Sequence, residues 1–319
     1  MILAFWLLAF IIGAAVIVWG AEAFSEHLGA ASVRLGVSAF ALALLLAGAE
    51  PEELATVVTA ALRGSPGIAF GDVIGANVTI CCVALGVGAW IAPLPFRRAV
   101  MRYAILGLPL GAIAAWMAWD GHVGRIEGGI LVLLYAAYVA AIWLAERRPP
   151  TLGEAGEVAE AREAAKQGRG GRVGRDLLLV LAGVLAMAGG ASLLVVAVER
   201  MAGTAAAQTR LGLTIVGFAT GFELVVLAWS AARRGISEAV VAGVVGSFAY
   251  NVTMTLGAGA LAHPLAIADA PALRRPLVMM VAALALVVLL AARRRRLGRV
   301  EAAILLAGYP VFVGLVLAG

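Results

Sequence analysis

The chain is built of long apolar runs separated by short polar breaks. Ten runs lie at about 2–24, 35–62, 67–93, 100–119, 125–145, 176–199, 209–232, 238–262, 276–292 and 300–318. They match the roughly 17–25 residues that a helix needs to cross a bilayer core. They lack the ten-residue alternation of barrel strands. The pattern predicts an all-α polytopic membrane protein with ten transmembrane helices. Its one long polar connection, 146–175, is rich in Glu, Arg, Gly and Ala. It reads as a solvated linker between 1–145 and 176–319, with a short surface helix possible over 154–166.

Composition agrees: 63% of residues are hydrophobic and 13% charged, with a mean hydropathy of +1.01, outside the soluble globular range. The 39 glycines suit helices that approach closely. The net charge of +5 does not point to nucleic acid, because the basic residues flank the runs. Loops after odd-numbered runs carry 18 of the 24 Lys and Arg. The other side carries Arg63, Arg125, Arg200, Arg210, Arg274 and Arg275. This bias puts the linker in the cytoplasm of a plasma (inner) membrane and both termini outside. The first run has no positive n-region and reads as a retained span. Cys81 and Cys82 are adjacent within a run and read as structural thiols.

The chain repeats itself at an offset of 171: Glu52 with Glu223, Arg63-Gly64 with Arg234-Gly235, Gly75 with Gly246, Leu85-Gly86 with Leu256-Gly257, and Gly88-Ala89 with Gly259-Ala260. Ten runs divide into five and five. Five is odd, so the second copy is inverted. The expected architecture is two inverted five-helix repeats around a central site, as in secondary transporters.

The chemistry concentrates in Ala47-Gly48-Ala49-Glu50-Pro51-Glu52-Glu53-Leu54, inside the second run. An acidic residue at membrane depth costs roughly 2.5–3.5 kcal/mol on insertion scales, so its presence asks for a function. Pro51 deletes a helical hydrogen bond and would free the carbonyl of Ala47. That oxygen and the Glu52 carboxylate are ligands that hard cations favour. The matching segment, 218–223, holds Thr220 and Glu223 but no proline, leaving any unwinding to Gly217 and Gly221. The following runs carry Gly71-Asp72-Val73-Ile74-Gly75-Ala76-Asn77 and Gly243-Val244-Val245-Gly246-Ser247. The spacing of Gly71, Gly75 and Thr79 makes one small helix face, open to close approach of a glutamate helix. Asn77, Thr79, Ser247 and Asn251 are the neutral oxygens available. Glu50, Glu53 and Asp72 could ligate directly or serve as partners and caps. Glu22 and Glu26 read as interfacial.

The doubled pattern resembles the alpha-repeats of the calcium/cation antiporter superfamily, whose best-known members are the sodium/calcium exchangers. Their motif reads roughly Gly-Thr-Ser-x-Pro-Glu, then Gly-Asn-x-x-Gly-Ser-Asn-x-x-Asn/Asp. The resemblance implies ten helices, a site between the four repeat helices, a sliding pair formed by the first and sixth helices, and exchange of Ca²⁺ against Na⁺ or H⁺. The ligand glutamates fall on Glu52 and Glu223. The motif's Thr-Ser falls on Gly48-Ala49 and on Ala219-Thr220, its serine on Ala76 and Ser247, and its last Asn/Asp on Ile80 and Asn251. Asp72 replaces the first asparagine; Asn77 is kept, opposite Phe248. The first copy has therefore lost hydroxyls and gained carboxylates. Na⁺ sites in the family lean on neutral oxygens, so this balance reads more easily as proton coupling.

The resulting expectation is a secondary active cation antiporter working by alternating access. Its substrates are Ca²⁺ and Na⁺ or H⁺, and it has no cofactor. Its site residues are Glu52, Glu223, Thr220, Ser247, Asn251, Asn77, Ala47, Glu50 and Asp72. The alternative is a divergent relative that carries another cation or solute, or an ion-binding membrane sensor. An enzyme is not indicated: there is no Ser/His/Asp set or nucleotide loop, and His27, His122 and His263 lie near run ends. The linker has no calcium-binding loop pattern. Partners are the lipid bilayer and inorganic cations.

Overall fold

A computed structural model describes residues 2–35, 49–146, 173–234 and 237–318. Almost all of them are helical. We number the helices α1 (Ile2–Arg34), α2 (Pro51–Leu62), α3 (Pro66–Ile91), α4 (Arg98–Met117) and α5 (Arg125–Glu146). In the second half are α6 (Val173–Ala202), α7 (Ala205–Arg233), α8 (Ser237–Tyr250, continuing to Ala262), α9 (Pro271–Arg294) and α10 (Arg299–Ala318). Among the described residues, nine of these are long and apolar enough to cross a membrane. The second predicted run is represented by α2, because 36–48 lie outside the described residues. The chain is a multi-pass membrane protein.

The helices form an inner and an outer set. In the most apolar stretches of α3 and α8, 94% and 89% of residues are buried, against 22% in α1 and α10. The inner set is therefore α3 and α8 with α2 and α7 beside them; α5 lies on α8 and α10 on α3. The outer helices turn large apolar side chains such as Ile2, Phe5, Leu144 and Leu178 outward, where lipid solvates them.

Among the described residues, helices α1 and α6 are the most extensively paired. They run antiparallel, with Gly13 opposite Gly190 and Gly20 opposite Gly183. A Cβ on any of these four would lie 2.6–2.8 Å from the facing carbonyl oxygen, so only glycine allows this approach. The pair is also joined by His27 and Asp176, 3.4 Å apart. The α1 helix runs ten residues past its expected end, because Leu28, Ala30 and Ala31 are strong helix formers that carry it through Gly29. Glu22 and Glu26 are exposed along it.

Wide π segments interrupt α3 at Ile80–Ala84, α7 at Gly212–Val216 and α8 at Asn251–Thr255. Two short antiparallel bridges clasp the helix ends. Strand β1 (Leu94–Pro95) pairs with β4 (Arg296–Leu297) at one face, and β2 (His122–Val123) pairs with β3 (Leu265–Ala266) at the other. The π segments of α3 and α8 begin 171 residues apart, as do β1 and β3.

Candidate functional site

The acidic cluster forms where α2 begins. Ala49 and Glu50 are non-helical, and Glu50, at φ −123° and ψ 86°, caps a helix whose first residue is Pro51. The expectation of an interior proline is thereby corrected. At the first helical position the missing N–H would have had no partner, so the ring starts the helix without breaking a bond. The Glu50 carbonyl accepts from the Leu54 N–H at 3.1 Å. Glu52 and Glu53 occupy the first turn of α2, where the positive end of the helix dipole favours carboxylates. Ala47 and Gly48 lie outside the described residues.

Glu50, Glu52, Glu53 and Asp72 are all buried, at most 4% exposed. Glu223, on α7, is half-buried. It lies close enough to Glu50, Glu52 and Glu53 for their charges to interact, and Glu53 is likewise near Asp72. No Lys, Arg or His is buried among the described residues. The four buried acids therefore lack a buried basic partner within the described protein.

Two of these acids are held by hydroxyls from the other half of the chain. Ser247, on α8, donates to Glu50. Thr220, on α7, donates to Asp72 at 2.7 Å. The carboxylate oxygens of Glu52 and Glu53, and Oδ2 of Asp72, make no hydrogen bond among the described residues. Asn77 donates to its own helix at the Val73 carbonyl, 2.8 Å away, and its Oδ1 has no donor among the described residues. Asn251 opens the π segment of α8, accepts from Thr255 at 3.3 Å and lies beside Glu53. A ring of acceptors with few donors suits a cation or proton. Among the described residues, no three Asp, Glu, His or Cys side chains converge at metal-ligand spacing.

The small face of α3 works as its spacing implied. Gly71 and Gly75 meet Gly212, Leu213 and Gly217 of α7, leaving no room for a Cβ. Gly217 and Gly221 are not points of unwinding. Both are helical and serve this contact, while the local widening falls just before them, over Gly212–Val216.

The family model described as sodium/calcium exchanger protein matches residues 5–144 and 176–318. The chain belongs to the sodium/calcium exchanger family. CaxA of Alkalimonas amylolytica, provisionally named an antiporter, is 24% identical over 94% of both chains. The inner membrane protein YrbG of Escherichia coli is 22% identical, over 84% of this chain and 82% of its own. The solved sodium-calcium exchanger NCX_Mj, soaked with Na⁺ and Sr²⁺, shares the fold at a TM-score of 0.63 and 21% identity, covering 98% of both chains.

Within this exchanger-family chain, eight of the nine expected site residues lie in α2, α3, α7 and α8 or, for Glu50, at the cap of α2. The ninth, Ala47, lies outside the described residues. Glu53, which the sequence offered as a ligand or a partner but which is not one of the nine, is as buried as Glu52. Its spacing from Glu50 is the signal that singled it out. Glu199, near the end of α6, was missed. It accepts from Arg63 at 3.0 Å and from Ser65 at 2.6 Å, tying α6 to the turn between α2 and α3.

Proposed function

We propose that this chain is a secondary active cation antiporter of the plasma (inner) membrane that exchanges Ca²⁺ against Na⁺ or H⁺ at Glu52 and Glu223. One observation carries the reading: buried carboxylates gather in the inner helix set, with no buried basic residue among the described residues. Each isolated buried ion costs several kcal/mol, so the cluster needs cations or protons to neutralise it. Two carboxylates balance one Ca²⁺, two Na⁺ or two H⁺, which makes exchange between them natural. Glu50, Glu53 and Asp72 enlarge the acidic set, Asn77 and Asn251 add neutral oxygens, and Thr220 and Ser247 hold Asp72 and Glu50 in place.

Residues 1–145 and 176–319 act as two inverted repeats joined by a cytoplasmic linker, with both termini outside. The paired π segments and the strands β1 and β3, each at an offset of 171, support this, as does the antiparallel α1–α6 pair. This pair slides as a unit across the inner helices, exposing the acids to one side and then the other.

The test is Ca²⁺ uptake into proteoliposomes under an imposed Na⁺ or H⁺ gradient, one at a time. Uptake driven by one gradient, and lost in both Glu52→Gln and Glu223→Gln, is the expected result. Normal fluxes in both variants would refute the site.

A further inference from the structure

Only six of the 24 Lys and Arg follow even-numbered runs, and three of those six, Arg210, Arg274 and Arg275, line one pocket. The charge bias that accounts for arginines at the opposite helix ends does not account for these. Of the other three, Arg63 is paired with Glu199 and Arg200 lies over the Trp6 ring at 5.9 Å.

The pocket has a volume of about 820 Å³ and lies where α7 and α9 begin, bordered by Gly64, Pro66 and Gly67 at the turn between α2 and α3. The three arginines stand near the helix starts, all exposed, with one acid, Asp269. No ion pair joins Asp269 to any of the three among the described residues. Arg274 is steadied by Trp119: its Nε–H donates to the Trp119 carbonyl at 3.4 Å, and its guanidinium carbon lies 5.7 Å from the ring centroid. That bond leaves the terminal amino groups of the guanidinium to other acceptors. Pro271 and Ala272, in the first turn of α9, also line the pocket, so the positive end of that helix dipole adds to the arginines. The sum is a net positive charge, which repels a cation and favours an anion.

Further in, the walls are apolar. Leu213 lies three residues beyond Arg210 on α7, and Met279 four beyond Arg275 on α9. Both therefore sit about one turn, roughly 5 Å, deeper along their helices. Leu315, near the end of α10, forms another wall and is 45% exposed. Because α10 is one of the outer helices, the pocket borders lipid on this side.

We infer that this pocket binds an anionic phospholipid, its phosphate held by Arg210, Arg274 and Arg275 and the start of an acyl chain by Leu213, Met279 and Leu315. Basic pockets between transmembrane helices recognise such headgroups. A free anion would meet the arginines but leave the apolar walls and the lipid-facing side unfilled, so the occupant is a lipid.

Native mass spectrometry of the full chain in neutral detergent tests this, with phosphatidylglycerol and phosphatidylcholine supplied in equal amounts. The wild type should retain phosphatidylglycerol in preference. Each arginine near a membrane surface is worth about fivefold in affinity for acidic lipid, so Arg210→Gln with Arg275→Gln should lower retention by about 25-fold. Both side chains are exposed and neither forms an ion pair among the described residues, so this variant should unfold at the wild-type temperature. Arg98→Gln with Arg293→Gln removes the same charge at the opposite helix ends and should leave retention unchanged. Asp269→Asn should raise retention, because it removes the one repulsive charge in the pocket. Equal retention of the two lipids, equal losses in the two paired variants, lowered retention in Asp269→Asn, or complete displacement of the lipid by inorganic phosphate would each overturn the proposal. Transport plays no part in the readout, so the result is independent of the antiporter reading.

Discussion

Replacing Gly71 by alanine tests whether the α3–α7 contact holds the acidic site together. An added Cβ would lie 2.6 Å from the Gly212 carbonyl carbon and the Leu213 nitrogen, and 2.7 Å from the Gly212 Cα. All three are backbone atoms, so no side chain can swing away. The helices must part by about 0.8 Å to reach an ordinary contact distance, a strain of roughly 1–3 kcal/mol. The same separation stretches the 2.7 Å Thr220–Asp72 hydrogen bond beyond the usual O–H···O range. Leaving a buried carboxyl without its donor costs a further 1–3 kcal/mol or so. Alanine returns about 1 kcal/mol through its better helix propensity, leaving a net loss of about 1–5 kcal/mol. Gly189→Ala is the control, because nothing lies within 4 Å of its added Cβ. Cys81 and Cys82 are both buried and unbridged, so a thiol-reactive fluorophore reports unfolding as the detergent-solubilised protein is heated. A mid-range loss of about 3 kcal/mol should lower the midpoint of Gly71→Ala by roughly 6–12 °C. The midpoint of Gly189→Ala should hold or rise. Coincident midpoints for Gly71→Ala and wild type would show that α3 and α7 do not pack as described.

Thr220→Val should destabilise by about 1–3 kcal/mol in the same assay, because Asp72 keeps its burial and loses its donor; an unchanged midpoint would deny that bond. Ser247→Ala should behave similarly through Glu50, and a Thr220→Val, Asp72→Asn pair should lose less than the two single effects combined, a coupling that a double-mutant cycle reads directly. Gly20→Leu should separate α1 from α6 and abolish exchange even where the protein still reaches the membrane; wild-type flux would exclude the sliding pair. Glu199→Gln should leave stability within about 1 kcal/mol, as expected for a part-exposed ion pair. It should nevertheless change transport rate if α6 slides as proposed, because that movement breaks the Arg63 contact.

The sequence made the membrane plan legible because span length is a property of the bilayer, and each run meets it without help from its neighbours. The repeat was legible for a related reason: Glu52 and Glu223, and the glycines around Gly75 and Gly246, recur at one offset. Helix starts and ends were harder. Pro51 looked like an interior break because the residues before it are as apolar as those of a helix, and hydropathy does not distinguish a helix from a loop inside a membrane. Gly217 and Gly221 looked like weak points because glycine both loosens a helix and lets two helices touch. Which role applies depends on Gly71 and Gly75, more than 140 residues away. Glu53 stayed open between ligand and partner because it matches no motif position; its burial, equal to that of Glu52, shows only in the fold.

The asymmetry between the halves, visible in the sequence as hydroxyls lost and carboxylates gained, is the same set of atoms seen from two sides. Shifting the Thr220–Asp72 pair by the repeat offset lands on Gly243 and Ala49. Shifting the Ser247–Glu50 pair lands on Ala76 and Gly221. Each of these two bonds therefore has a counterpart position made of small residues that cannot form it. The first half supplies the carboxylate both times and the second half the hydroxyl. A hydroxyl that donates to a carboxylate still has a lone pair to offer a cation, but its position is set by the acid. Thr220 and Ser247 are then better described as holding Asp72 and Glu50 than as independent ligands. Substituting Asp72 by asparagine would change the partner of Thr220 while keeping its shape. If the two act as a unit, Asp72→Asn and Thr220→Val should alter cation dependence of flux in the same direction. Opposite effects would return Thr220 to the role of a separate ligand.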